Sequence, residues 1–339
     1  VSALPAKIFD LLYGQPGTGK SENVARLAER IYRETGKTTR IVIGDGSALT
    51  YEHLRELGVA QLCFYGGMPY PFTTIERLCR GWWPGPDGAL VRPGTDGNTL
   101  DTVGLYVFEG VSVISRYLLN GCADKNSEGA KLAQDAAIRF VEGTVDPRTG
   151  KVIDGPGTTY SGNSPAHFGF TQSKIVEFIG DSQSLPCHVL WTAHETTNNP
   201  DADALNKGEL LAGPEAVGKA LTASLQKAFN NTLHCCTVGK RGKQQDGFTG
   251  RAADELDLEY RLYTRDHFAP SGNALIRYKG CTRNGDAQTP QYLTSTEPGL
   301  TLPAFYDMLA DVRKARRSSL TSAVVTGPEE ASTRSQSAT

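Results

Sequence analysis

With 339 residues, 39% hydrophobic and 21% charged, the chain has a globular composition and the length to bury a large core. Its 35 basic and 37 acidic side chains leave a formal net charge of −2, which argues against wholesale electrostatic coating of nucleic acid but not against a local basic patch. No apolar run approaches the roughly 20 residues of a membrane span, the first residues lack a signal-peptide pattern, and the seven cysteines include no C-x-x-C pair, so the expectation is a cytoplasmic protein with reduced thiols, no membrane contact and no zinc site.

Residues 8–13, IFDLLY, read as a short buried strand running into a Gly-rich turn. From Ser21, the apolar residues Val24, Leu27, Ala28, Ile31 and Tyr32 recur at helical spacing, and Gly36 is placed to stop the helix. A strand at 40–44, a helix over 51–57, a strand at 61–65 and a helix over 73–80 follow. Residues 82–98, rich in Pro and Gly, read as a loop. VGLYVF at 103–108 is a continuous apolar run, as in a strand covered on both faces.

Helices are expected over 111–119 and 129–142, then a Gly/Thr/Ser/Pro-rich loop over 143–170, whose length points to a functional or mobile segment. A helix over 172–180, a buried strand at 187–193, a polar loop at 195–208, a helix over 215–229 and an extended segment at 231–238 come next. Residues 256–264 and 273–281 are expected to pair as a hairpin or sheet extension. A helix over 303–317 would carry Arg313, Lys314, Arg316 and Arg317 at its end, where cations suit the helix dipole. Residues 318–339 read as a Ser/Thr-rich tail, disordered in isolation. Strands and helices alternating in this order predict an α/β fold with a mostly parallel sheet.

Gly14-Gln15-Pro16-Gly17-Thr18-Gly19-Lys20-Ser21 matches G-x-x-x-x-G-K-[ST] in full, between a predicted strand and a predicted amphipathic helix. Glycines let successive backbone N–H groups turn toward phosphates. Lys20 would reach the β- and γ-phosphates, the Ser21 hydroxyl would ligate Mg²⁺, and the helix N-terminus, with Glu22 in its first turn, would face the same anion. The ligands expected are therefore ATP and Mg²⁺. G-x-G-x-x-G is absent, which argues against a dinucleotide fold.

A carboxylate should stand near the metal at the end of a buried strand, and Glu109 ends 103–108, where Asp is usual, as a candidate to hold Mg²⁺ through a water or to polarise the attacking water, or as a plain surface carboxylate at a strand end. Asp45, after the second strand, is a candidate to activate water, or a plain turn residue. His194, at the tip of Thr192-Ala193-His194-Glu195, is a candidate sensor of the γ-phosphate, with a structural role as its alternative.

GQPGTGKS, YVFEGVS, HVLWTAHE, GKALTASLQKAFNNTLH and ALIRYKGCTR, spanning roughly 8–285, give the chain a resemblance to RecA-like ATPases. More narrowly it resembles phage-encoded AAA-type ATP-binding proteins, some linked to single-strand annealing and recombination. IVIGDGSALTYEHLRELGVAQLCFY has the layout of the bacterial recombinase's strand, acidic turn, helix and next strand. At the family's catalytic glutamate stands Gly46, with Asp45 one residue earlier.

The resemblance implies a RecA-like core over 1–285 with insertions at 82–99 and 143–170, a C-terminal segment with a helix over 286–317, and the tail. It also implies ATP hydrolysis and homo-oligomeric rings or filaments in which a neighbour's cation enters the nucleotide site. Arg277, Lys279 and Arg283, or the cluster Lys240-Arg241-Gly242-Lys243, are candidates for that finger, or solvated basic residues.

Three roles stay open: a phage DNA recombination or replication ATPase acting with single-stranded DNA, an ATP-dependent assembly or packaging component contacting proteins, and a nucleotide-binding scaffold with little turnover. The loop at 195–210 holds Glu195, Asp201, Asp203 and Glu209 against Lys207, a poor phosphate surface. The loop at 143–170 holds Arg148 and Lys151 with Tyr160 and Phe168, a mixture able to stack bases or to dock a partner.

Overall fold

The structure is a computed structural model that describes residues 4–44, 46–66, 68, 70–122, 128–132, 165–197, 212–217, 221, 225–239, 258–264, 267–268, 275–276 and 290–325. Strand β1 (Phe9–Gly14) leads into helix α1 (Lys20–Thr35), followed by β2 (Thr38–Ile43), α2 (Ala48–Glu56), β3 (Ala60–Phe64) and α3 (Pro71–Cys79). Within the stretch read as a plain loop, β4 (Trp83–Pro84) and β5 (Leu90–Val91) form a small hairpin. Then come β6 (Val103–Glu109), α4 (Val111–Gly121), α5 (Pro165–Gln183), β7 (His188–Thr197), β8 (Ala212–Pro214) and β9 (Asn231–Gly239). The remaining elements are β10 (Leu258–Tyr263), β11 (His267–Phe268), β12 (Leu275–Ile276), β13 (Tyr292–Ser295) and α6 (Thr301–Val325).

Among the described residues one sheet of nine strands runs β13-β10-β9-β1-β7-β6-β2-β3, with β8 paired to β7. Strands β3, β2, β6, β7, β1 and β9 are mutually parallel, while β10 is antiparallel to both β9 and β13. Every residue of β1 and β6 is buried, as a strand covered on both faces requires.

The sheet divides the core in two. On one face Leu11, Phe108, Trp191, Ile75, Ile114 and Phe178 pack with α3, α4 and α5. On the other, Leu12, Val107, Leu190, Leu27, Ile31 and Phe305 pack with α1, α2 and α6. This is the expected α/β architecture: a mostly parallel sheet between two layers of helices. None of the described helices is long and apolar enough to cross a membrane.

Several expectations need refining or correcting. Of the two arrangements expected for 256–264, a hairpin with 273–281 or a sheet extension, β10 makes the sheet extension among the described residues. It closes the edge of β9 and takes β13 on its other side, and Leu275–Ile276 pairs with His267–Phe268 instead. The helix read at 172–180 begins at Pro165, so the last part of the supposed loop is helical; proline suits a first helical turn. Strand β7 runs to Thr197 and pairs with β8, so residues 195–197, read as polar loop, are strand.

Of the helix read over 215–229, Leu221 is helical and Leu225–Ala228 forms a 3-10 turn, while 218–220 and 222–224 fall outside the described residues. Helix α6 continues to Val325, into the supposed tail, so residues 313–317 lie inside it and not at its end. Gly327-Pro328 is the first breaker pair beyond it. The readings for 133–164 fall outside the described residues.

Candidate functional site

The turn between β1 and α1 is built from its glycines. A side-chain carbon on Gly14 would lie 2.2 Å from the Cys235 carbonyl oxygen of β9, so only glycine allows the strand to turn there. Gly17 and Gly19 both have φ +79°, in the left-handed region that glycine adopts without strain. The Thr18 hydroxyl closes the turn by donating to the Gln15 carbonyl at 2.8 Å, while Gln15, Pro16 and Gly17 are exposed.

Helix α1 starts at Lys20 with Gly19 as its N-cap and no side-chain cap. Its N-cap thus offers no side chain to the first N–H groups, which no helix can satisfy internally. That uncapped end suits an anion. The Lys20 ammonium lies folded over the same turn, donating to the carbonyls of Gly14 (3.0 Å) and Gln15 (2.9 Å).

The Ser21 hydroxyl donates to Glu109 Oε1 at 2.7 Å. Glu109 comes from the end of β6, and because β7 lies between β1 and β6 its carboxylate reaches across one strand to meet Ser21. It is 3% exposed. A hydroxyl and a carboxylate oxygen side by side, next to an uncapped helix end, are the hard oxygen donors that Mg²⁺ takes while keeping waters and a phosphate as its other ligands. The residues therefore fit the ion, and Ser21 and Glu109 are the ones that would hold it.

Three further contacts fix the neighbourhood. The Thr192 hydroxyl of β7 accepts the Gly110 N–H at 2.8 Å, tying β7 to the residue after Glu109. The Ser112 hydroxyl of α4 accepts the His194 N–H (2.9 Å) and donates to the Glu215 carbonyl (2.9 Å). The Glu195 carboxylate bonds His234 Nε2 of β9 at 2.9 Å, both side chains being buried.

Of the residues singled out in the sequence, the structure brings Gly14 through Glu22 together with Glu109, and sets His194 beside Gly14 in register. It turns Glu195 away from the polar loop, into the bond with His234, so that loop loses one of its expected acids. Phe168 sits on α5. Asp45, Arg148, Lys151, Tyr160, Asp201, Asp203, Lys207, Glu209, Arg277, Lys279, Arg283 and the cluster at 240–243 lie outside the described residues. Sequence reading missed Ser112, Asn23, Thr237 and Tyr260, whose places depend on contacts between distant parts of the chain.

No protein-family model matches the chain, and no curated protein matches it. Among solved structures it is similar to the flagellar accessory protein FlaH from Methanocaldococcus jannaschii, at 8% identity and a TM-score of 0.39, over 88% of this chain and 89% of that one. It is also similar to a KaiC-like protein from Pyrococcus horikoshii OT3, at 9% identity and a TM-score of 0.35, over 81% of this chain and 91% of that one.

Proposed function

We propose that the chain binds ATP with Mg²⁺ at the turn between β1 and α1 and hydrolyses it. The observation that carries this reading is the meeting of Ser21 with Glu109 beside an uncapped helix end and the Lys20 ammonium. Loop amides and the α1 N-terminus take the phosphates, and Lys20 exchanges its two loop carbonyls for β- and γ-phosphate oxygens. A divalent cation held by Ser21 and Glu109 supplies charge neutralisation on the phosphate oxygens. Glu109 and Asp45 are the candidates to orient the attacking water, and His194, at the tip of β7, the candidate to sense the γ-phosphate.

The finer reading, a phage recombination, annealing or replication ATPase working with single-stranded DNA as a ring or filament, is supported by the resemblance of the motif-bearing segments. In it Arg277, Lys279 or Arg283 of one copy would complete the neighbour's site, and the core, the C-terminal segment and the tail keep the bounds given above.

The test is ATP turnover with and without Mg²⁺ and single-stranded DNA, at two salt concentrations. Lys20→Ala and Glu109→Gln are expected to lower turnover about a hundredfold or more. Unchanged turnover in Lys20→Ala would remove the assigned site. DNA that changes neither turnover nor mobility would remove the DNA role and leave the protein-assembly reading. Tight ATP binding without turnover would leave a nucleotide-dependent scaffold.

A further inference from the structure

The geometry points to a nucleoside-binding wall made by Tyr260, Pro298 and Thr237, and we infer that a bound nucleoside triphosphate rests its base on the Tyr260 ring. This rests on the phosphate-site reading above. The direction of the ligand follows from the sheet order. Glu109, with the metal and hence the γ-phosphate, lies on the β7–β6 side of β1. The α-phosphate, ribose and base must then leave on the other side, over β9 and β10.

That side is walled. Strand β9 pairs with β1 only as far as Cys235 opposite Gly14, then runs on to Gly239, carrying β10 with it. Tyr260 stands opposite Thr237, two residues beyond the level at which β1 ends. By strand alternation Thr237 shares the face of Cys235, which packs in the core on the α1 side.

Tyr260 leans over the phosphate loop itself. A side-chain carbon built on Gly19 would lie 3.3 Å from Tyr260 Cδ1 and 3.5 Å from Pro298 Cβ. Tyr260 is half-buried and Pro298 exposed, so the aromatic surface beside the loop is open in part to a ligand.

Thr237 is the second, independent sign. Among the described residues its hydroxyl oxygen is buried and makes no hydrogen bond. A buried hydroxyl is costly to leave unsatisfied. Beside Tyr260 it is placed to bond a ribose hydroxyl or an α-phosphate oxygen. The ring face reads no base edge, so stacking on it serves any purine.

The test measures binding of ATP, GTP and inorganic tripolyphosphate, each with Mg²⁺, to the full chain and to Tyr260→Ala, Tyr260→Phe and Thr237→Val. Tyr260→Ala is expected to weaken ATP and GTP alike by about ten- to a hundredfold, with tripolyphosphate unchanged, which also shows the loop intact. Tyr260→Phe keeps the ring and the affinity, and Thr237→Val weakens both nucleotides without touching tripolyphosphate. Wild-type ATP affinity in Tyr260→Ala would overturn the inference. So would a parallel loss of tripolyphosphate, which would make the ring a mere support of the loop. A wild type that binds neither nucleotide nor tripolyphosphate would remove the phosphate site, and this wall with it.

Discussion

Asp10 is a carboxylate at the second position of β1, 1% exposed, two turns of pleat below the turn between β1 and α1. It accepts hydrogen bonds from the Asn231 backbone N–H (3.1 Å), the Asn231 side-chain amide (2.8 and 2.9 Å) and the Tyr306 hydroxyl (2.8 Å). Burial outweighs these donors and raises its pKa from 3.8 to about 6. A carboxyl whose folded pKa is raised gives stability that is whole below its unfolded pKa and is lost as pH rises through the folded value. Wild type should therefore lose stability relative to Asp10→Asn as pH goes from about 4 to about 6, by at most about 3 kcal/mol. Urea unfolding of both proteins across that range measures it, and parallel curves would show that Asp10 does not titrate in this way. The turn between β1 and α1 was legible because its pattern is local, a spacing of glycines, lysine and serine within one turn. Asp10 reads in the sequence as an interruption of an apolar strand, since its three donors come from Asn231 and Tyr306, far along the chain.

Helix α1 is bound to α6 by side chains that no periodicity distinguishes. Asn23, 1% exposed, donates to the Gly19 carbonyl (3.0 Å) while its oxygen accepts the Thr301 hydroxyl (3.1 Å) and the Leu302 N–H (2.8 Å). The first turn of α6 is thus capped by a residue of another helix. Arg30 adds bonds to the Pro303 carbonyl (3.0 Å) and to Asp307 (2.9 Å), the latter pair weakened by the exposure of Asp307. Asn23→Ala leaves the Thr301 and Leu302 donors without that acceptor and is expected to cost about 1–3 kcal/mol. Denaturant unfolding checks this, and a loss within error would mean another group takes over the cap. The helices themselves were readable from their apolar spacing. Their ends were not: α6 runs on because Ser and Thr do not break a helix that is already packed, and α5 starts early because a proline fits its first turn.

Across the whole molecule, β1 is flanked on both sides by parallel neighbours and covered on both faces, whereas β3 and β13 stand at the edges of the sheet. Protection should follow that order. In native-state hydrogen exchange the amides of β1, β7 and β6 are expected to be slowest, and those of β13 and β10 to exchange through smaller openings. Uniform protection across the sheet would contradict this. The order of elements was readable because a buried parallel strand and an amphipathic helix each leave a local mark. The placement of β10 between β9 and β13 was not, because antiparallel partners are chosen by which sheet edge lies open and not by any residue pattern.

The clasp at Ser112 has a mechanical meaning. One hydroxyl grips the two arms of the β7–β8 ribbon, at His194 and at Glu215, and it belongs to the first turn of the helix that follows Glu109. The ribbon cannot tilt against α4 without breaking both bonds. Ser112 thereby moors both arms of the ribbon to the helix that begins two residues after Glu109.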